Sequence, residues 1–147
     1  MAKNPQTNGT SNLPKYFVMA FIGVAVFMFA SRFFGGGETA SVTAPASFSA
    51  AASEGKDVFH ANCVTCHGSS ASGTDKGPPL VHDIYNPGHH SDESFYRAAK
   101  QGVRQHHWAF GNMPAQPQVS EQEIARIVQY VQELQQANGI FYRPHRM

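Results

Sequence analysis

Cysteine is scarce in this chain: two in 147 residues, both inside the stretch Cys63-Val64-Thr65-Cys66-His67. A closed structural zinc site takes four ligands, usually from two spaced pairs of Cys or His. No second pair follows, and His60 is the one neighbouring imidazole on the same segment that could serve as a third or fourth ligand. A thioredoxin-like redox pair needs a strand of a βαβ unit ahead of it, and the flanking sequence shows none. Charged residues are also few, at 14%. From Glu54 onward, beyond Lys3, Lys15, Arg32 and Glu38, eight Lys and Arg face nine Asp and Glu. That balance contains no basic stripe for nucleic acid and no strong cationic ring for docking an acidic partner. No run alternates apolar and polar residues with period two, so the expected fold class is all-α.

What is present divides the chain into four parts. Residues 1–15 are polar, with Lys3 and Lys15 and no acidic residue, and read as an N-terminal tail. Residues 16–34 are almost wholly apolar, broken by Ser31 and Arg32; their length is close to the ~20 residues that a bilayer core requires. Arg32 can snorkel to headgroups, and Tyr16, Phe33 and Phe34 suit the interfaces. Lys3 and Lys15 favour a cytoplasmic N-terminus, which would put the rest of the chain outside. A cleaved secretory signal is the alternative, with small residues at Ala44-Pro45-Ala46 and Ser49-Ala50-Ala51, although both lie well beyond the apolar run. A buried core helix is a third reading. Residues 35–53, rich in Gly, Ala, Ser and Thr, read as a flexible linker, and residues 54–147 as the folded head.

Within the head, Cys63, Cys66 and His67 have the spacing that attaches a c-type haem. Each thiol can add to one vinyl group, and the adjacent imidazole then lies where its Nε2 can coordinate iron. One covalent haem c would also enlarge a core that about 94 residues can barely supply. Helix signals follow in order. Gly55 to Asn62 forms a first helix, with Ser53 as its N-cap. Ser69 to Pro79 is loop. Asp92 to Lys100 forms a second helix, capped by Ser91 and closed by Gly102. A third carries a capping box at Ser120 and Glu123, an apolar face of Ile124, Ile127, Val128, Val131 and Leu134, and a stop at Asn138-Gly139.

The sixth iron position decides between electron transfer, gas binding and catalysis. Met113, in Gly111-Asn112-Met113-Pro114 between the second and third helices, is the candidate for it. His106 and His107 are its rivals, and most other histidines of the head read as solvated surface residues. A loop or core methionine that merely fills a gap is the plain alternative.

With these residues in order, the chain resembles the monohaem class I c-type cytochromes, in particular bacterial forms held by an uncleaved N-terminal membrane helix. The resemblance spans about residues 54–140 and rests on Gly55, Phe59, the motif at 63–67, Gly77-Pro78-Pro79-Leu80, Met113-Pro114 and Tyr130. It implies a class I cytochrome c fold in which the Pro78 carbonyl receives the Nδ1 proton of His67, Leu80 packs on the haem, and Gly55 and Phe59 meet Tyr130 where the first and last helices cross. It also implies that Arg104 and Trp108 donate to a haem propionate.

On this reading the protein is not an enzyme. It is a membrane-tethered one-electron carrier with His67 and Met113 on iron, facing the periplasm from a bacterial inner membrane by a single pass. Its partners would be membrane redox complexes such as a quinol-oxidising complex and a terminal oxidase or photosynthetic centre. A fixed subunit of such a complex and, further off, a haem enzyme or haem-based sensor are the alternatives.

Overall fold

A computed structural model describes residues 13–34 and 41–144. The chain falls into two units, residues 1–36 and 37–147, which are taken separately.

The first unit contains α1, Leu13–Phe34. It begins three residues earlier than the apolar run suggests, and every described side chain along it, over 15–29, is exposed, including Phe21 at 80%. No polar face interrupts the apolar residues. Among the described residues no helix is long and apolar enough to cross a membrane. The expected tail over 1–15 and the first part of the linker, 35–40, fall largely or wholly outside the described residues.

The second unit is helical, with α2 at Ala50–Asn62, α3 at Val64–His67, α4 at Asp92–Gln101 and α5 at Glu121–Ala137, plus a 3-10 turn at Asp83–Tyr85. Among the described residues there is no strand, only one isolated antiparallel bridge between Val103 and Met113. Its core lies where α2 crosses α5. Phe59, Ile124, Val131 and Leu134 are almost fully buried there, and the expected apolar face of α5 is buried along its length. Phe48 and Phe59 both pack on Tyr130, with ring centroids 5.3 and 5.4 Å from it, and the Tyr130 hydroxyl donates to Ser69 O at 3.1 Å. Gly55 allows the close crossing, since a methyl there would run into the α5 backbone at Arg126 and Ile127. The aromatic contact expected between Phe59 and Tyr130 is therefore present, and Gly55 lies against the α5 backbone at Arg126 and Ile127.

Two boundaries differ from the sequence expectation. The first helix starts at Ala50, capped by Ser49, whose hydroxyl accepts from Ala52 N at 3.1 Å; Ser53 lies inside the helix. Three consecutive alanines, Ala50 to Ala52, are the strongest helix formers, and their propensity outweighs the loop-like composition around them. The second half of the supposed flexible linker is also part of the head. Val42 and Phe48 pack against the core, and Thr43 exchanges hydrogen bonds with the Asn138 side chain, N–H to Oδ1 at 2.9 Å and Nδ2 to O at 2.7 Å. Two apolar residues in a small-residue stretch were enough to bind it to the core.

The other helix limits follow their signals closely. Ser120 and Glu123 form the reciprocal capping box. Ser91 takes the N-cap conformation of α4 without a side-chain cap bond, and Gly102 closes that helix at φ 75°.

Candidate functional site

Cys63 ends α2, its N–H donating to Phe59 O at 2.7 Å, and its own carbonyl accepts from His67 N at 3.0 Å, so the motif folds directly into the single turn of α3. Gly68, at φ 77°, turns the chain out of that helix. The following loop wraps closely around the motif. Thr74 Oγ1 donates to Cys66 O at 2.7 Å, and a methyl on Gly77 would come within 2.8 Å of the same oxygen. This fit delivers the Pro78 carbonyl to His67, whose Nδ1 donates to it at 2.8 Å. The bond assigns the proton to Nδ1 and leaves Nε2 as the free lone pair. His67 is 8% exposed; burial holds its pKa below the usual imidazole range, partly offset by the bond to Pro78. A neutral imidazole with an oriented Nε2 is the form that binds a metal.

Farther along the chain, Val103 and Met113 exchange backbone hydrogen bonds of 3.0 and 2.9 Å and close the loop between them. Gln105 N donates to Asn112 Oδ1 at 3.0 Å, and Gly111 N donates to Gln105 Oε1 at 2.7 Å. Gly102 lets this loop lie close to the end of α4, since a methyl there would meet Met113 O at 2.5 Å.

Both segments border a cavity of about 510 Å³, within the roughly 300–1,000 Å³ typical of cofactor sites. Cys63, His67 and Met113 all line it, as do Pro78, Leu80, Arg104 and Trp108. Cys66 is half-buried and is not among the lining residues. Burial, and secondarily Cys66, push the Cys63 thiol up to about 11, so this sulfur stays a neutral thiol in its apolar wall.

The walls fit a large apolar group with a polar edge. Phe59, Leu80, Phe95 and Val103 supply apolar surface. Trp108 Nε1 is buried and makes no well-formed hydrogen bond; its nearest partner is the Tyr85 hydroxyl, whose pKa it draws down against a larger upward push from burial. A buried indole N–H needs an acceptor, and a carboxylate on a bound group would provide one.

His60 donates from Nε2 to Ser69 O at 2.9 Å and does not line the cavity. Among the described residues it forms no three-ligand cluster with the two cysteines. Sequence reasoning overlooked a different group. His89, His90, His106 and His107 all line the cavity, and adjacent rings lie as close as 4.3 Å. The paired histidines at 89–90 and 106–107 were the available signal, but nothing local shows that the two pairs meet.

The family model described as Cytochrome c matches residues 52–135, more than half of the chain. No curated protein and no solved structure matches it.

Proposed function

The chain belongs to the cytochrome c family, and on that premise we propose a membrane-tethered one-electron carrier in which His67 and Met113 would be the protein's ligands to the haem iron. A domain of this family carries covalently attached haem c, and Cys63 and Cys66 are the two thiols of its C-x-x-C-H pattern. The family makes this a haem-based electron-transfer protein. Bound haem supplies a ferric–ferrous couple.

The protein's own groups account for the rest. Cys63, where α2 ends, and Cys66, in α3, would hold the group covalently. The Pro78 carbonyl holds the His67 ring in one tautomer and raises its basicity. The Met113 thioether, on a loop tied to Val103 and lining the same cavity, would offer a soft ligand, and thioether ligation raises the potential. Phe59, Leu80 and Val103 keep water off. Trp108 Nε1, which lines the cavity, would donate to a propionate carboxylate.

The observation that carries the reading is that Cys63, His67 and Met113, up to 50 residues apart on the chain, line one cavity. The ferric absorption spectrum of the Met113→Ala protein tests it. The methionine-to-iron charge-transfer band is expected to be present in the parent and lost in the variant. A parent without that band, or a variant that keeps an unchanged low-spin spectrum, would transfer the sixth position to one of the cavity histidines and overturn the assignment.

Tethering rests on α1. From Tyr16 to Phe29 its side chains are apolar and exposed on all sides, and such a helix needs a partner surface or a lipid phase. With Lys3 and Lys15 ahead of it, the head would face the periplasm of a bacterial inner membrane. Electron partners would then be complexes of that membrane, a quinol-oxidising complex on one side and a terminal oxidase or photosynthetic centre on the other. Because residues 41–53 belong to the head, the tether would be shorter than the full stretch 35–53, confining the carrier more closely to its membrane. Removing residues 1–34 should move the protein from the membrane to the soluble fraction; retention in the membrane would sink the tether.

A further inference from the structure

We propose that His89, His90 and His107 form a second metal site, for a divalent cation of the zinc–copper class, at the rim of the haem cavity. One ring nitrogen from each lies within 4.8 Å of the other two, and among the described residues no other His, Cys, Asp and Glu group converges in this way. The ring centroids are 4.7 Å apart for His89 and His90, 5.2 Å for His90 and His107, and 5.5 Å for His89 and His107.

His90 carries the orientation expected of a ligand. Its Nδ1 donates to Ile84 O at 2.8 Å, which presents Nε2 as the lone-pair nitrogen, the arrangement by which a backbone carbonyl fixes a metal-binding imidazole. His106 is held in the same way, Nδ1 to Arg104 O at 2.9 Å, with its ring 4.3 Å from that of His107. It is not one of the three converging ligands, which leaves the fourth position to water. Burial first, and then the neighbouring imidazoles, hold His90 below the usual range, and His107 is lowered in the same order of causes. Both are therefore neutral and able to coordinate at neutral pH.

The donor set selects the metal. Imidazole nitrogen suits zinc, copper and nickel, whereas calcium and magnesium require oxygen ligands. In a tetrahedral zinc site with bonds of 2.0–2.1 Å the ligand nitrogens lie about 3.3 Å apart. Separations that are all within 4.8 Å must then close by at most about 1.5 Å, a movement on the scale of a rotamer adjustment of the exposed His89 and His107 rings. Those exposed rings also leave the site open to ions in solution.

The ligands come from two segments. His89 and His90 precede α4, while His107 lies in the loop closed by the Val103–Met113 bridge. A bound ion would cross-link the loop carrying Met113 to the segment ahead of α4 and restrict its opening. This second site goes beyond the electron-carrier reading and requires only that the sixth iron ligand be none of His89, His90 and His107.

Zinc, being redox-silent, is the probe. The full-length haem-loaded protein in mild detergent, cleared of metal with a chelator, is titrated with Zn2+ by calorimetry. One equivalent is expected to bind and to raise the thermal midpoint reversibly on chelation. His89→Ala and His107→Ala should each weaken binding at least about tenfold, a loss typical of damaged metal sites, and abolish the thermal shift, while His60→Ala should leave both unchanged. Both cluster substitutions remove exposed side chains, and circular dichroism verifies that the variants fold. Failure of the folded parent to bind one equivalent, or binding that the two cluster variants leave intact, overturns the proposal. So does a change in the iron spectrum of His107→Ala, which would assign that imidazole to the haem.

Discussion

Replacing Gly55 with Ala should destabilise the head, even though alanine is the better helix former. The added methyl would stand 2.9 Å from Ile127 N and closer still to the Arg126 carbonyl. Ordinary carbon contacts begin near 3.4 Å, and the obstacle is helix backbone rather than the end of a flexible side chain. α2 and α5 must therefore move apart, disturbing the packing of Phe59 and Tyr130. Overpacking of this kind costs about 1–3 kcal/mol, and a rigid obstacle puts it near the upper end. Against it stands about 1 kcal/mol from replacing glycine in a helix. The net loss of about 2 kcal/mol corresponds to a fall in Tm of about 8–16 °C for a domain of this size. Thermal unfolding of the ferric protein, followed by far-ultraviolet circular dichroism, measures it. Gly23→Ala in α1, whose methyl meets nothing within 4 Å, should leave the head transition unchanged. A Gly55→Ala transition within about 4 °C of the parent, or above it, would show that the crossing is looser than the structure has it and refute the argument.

Gln135 is 1% exposed, and its amide donates to Leu80 O and Tyr85 O at 2.9 Å each. Gln135→Met keeps the volume but strands two carbonyls, so the denaturant midpoint should fall by the equivalent of about 2–4 kcal/mol at unchanged m-value. Glu123 is held below the usual carboxylate range by the Ser120 backbone N–H first and by its hydroxyl second. A carboxyl lowered in the folded state contributes stability above its ordinary pKa, and that contribution disappears as pH falls through the lowered value. Ser120→Ala removes the hydroxyl alone, so a carboxyl titration followed by NMR should show the Glu123 pKa rising part of the way back; an unmoved pKa would contradict the capping box. Trp108→Phe should lower the reduction potential in a redox titration, because a propionate left without its donor favours the ferric state. An unchanged potential would mean that the indole N–H serves no carboxylate.

Close-range chemistry made much of this protein legible in its sequence. The motif from Cys63 to His67 is a local pattern, and so are the Ser120–Glu123 box and the apolar face from Ile124 to Leu134, which the structure buries as expected. The His67–Pro78 bond and the contact of Phe59 with Tyr130 were implied by resemblance rather than by spacing, and both are present. Local composition misled at residues 41–53. A stretch of small residues has the same composition whether it floats or docks, and docking depends on Val42 and Phe48 meeting a core assembled from distant segments.

The sequence by itself determined which chemistry this chain could carry, because two thiols and an imidazole at fixed spacing are joined by the backbone in every conformation. Tertiary structure alone decided what surrounds that chemistry. Met113 shares a cavity with His67 only because the Val103–Met113 bridge closes its loop. The Trp108 N–H is left seeking an acceptor only because its surroundings bury it. The four histidines at 89–90 and 106–107 become a cluster only because the segment before α4 and the loop before Met113 are folded against one another. Such meetings depend on loop paths and on packing between segments well separated along the chain, where neither spacing nor periodicity carries information.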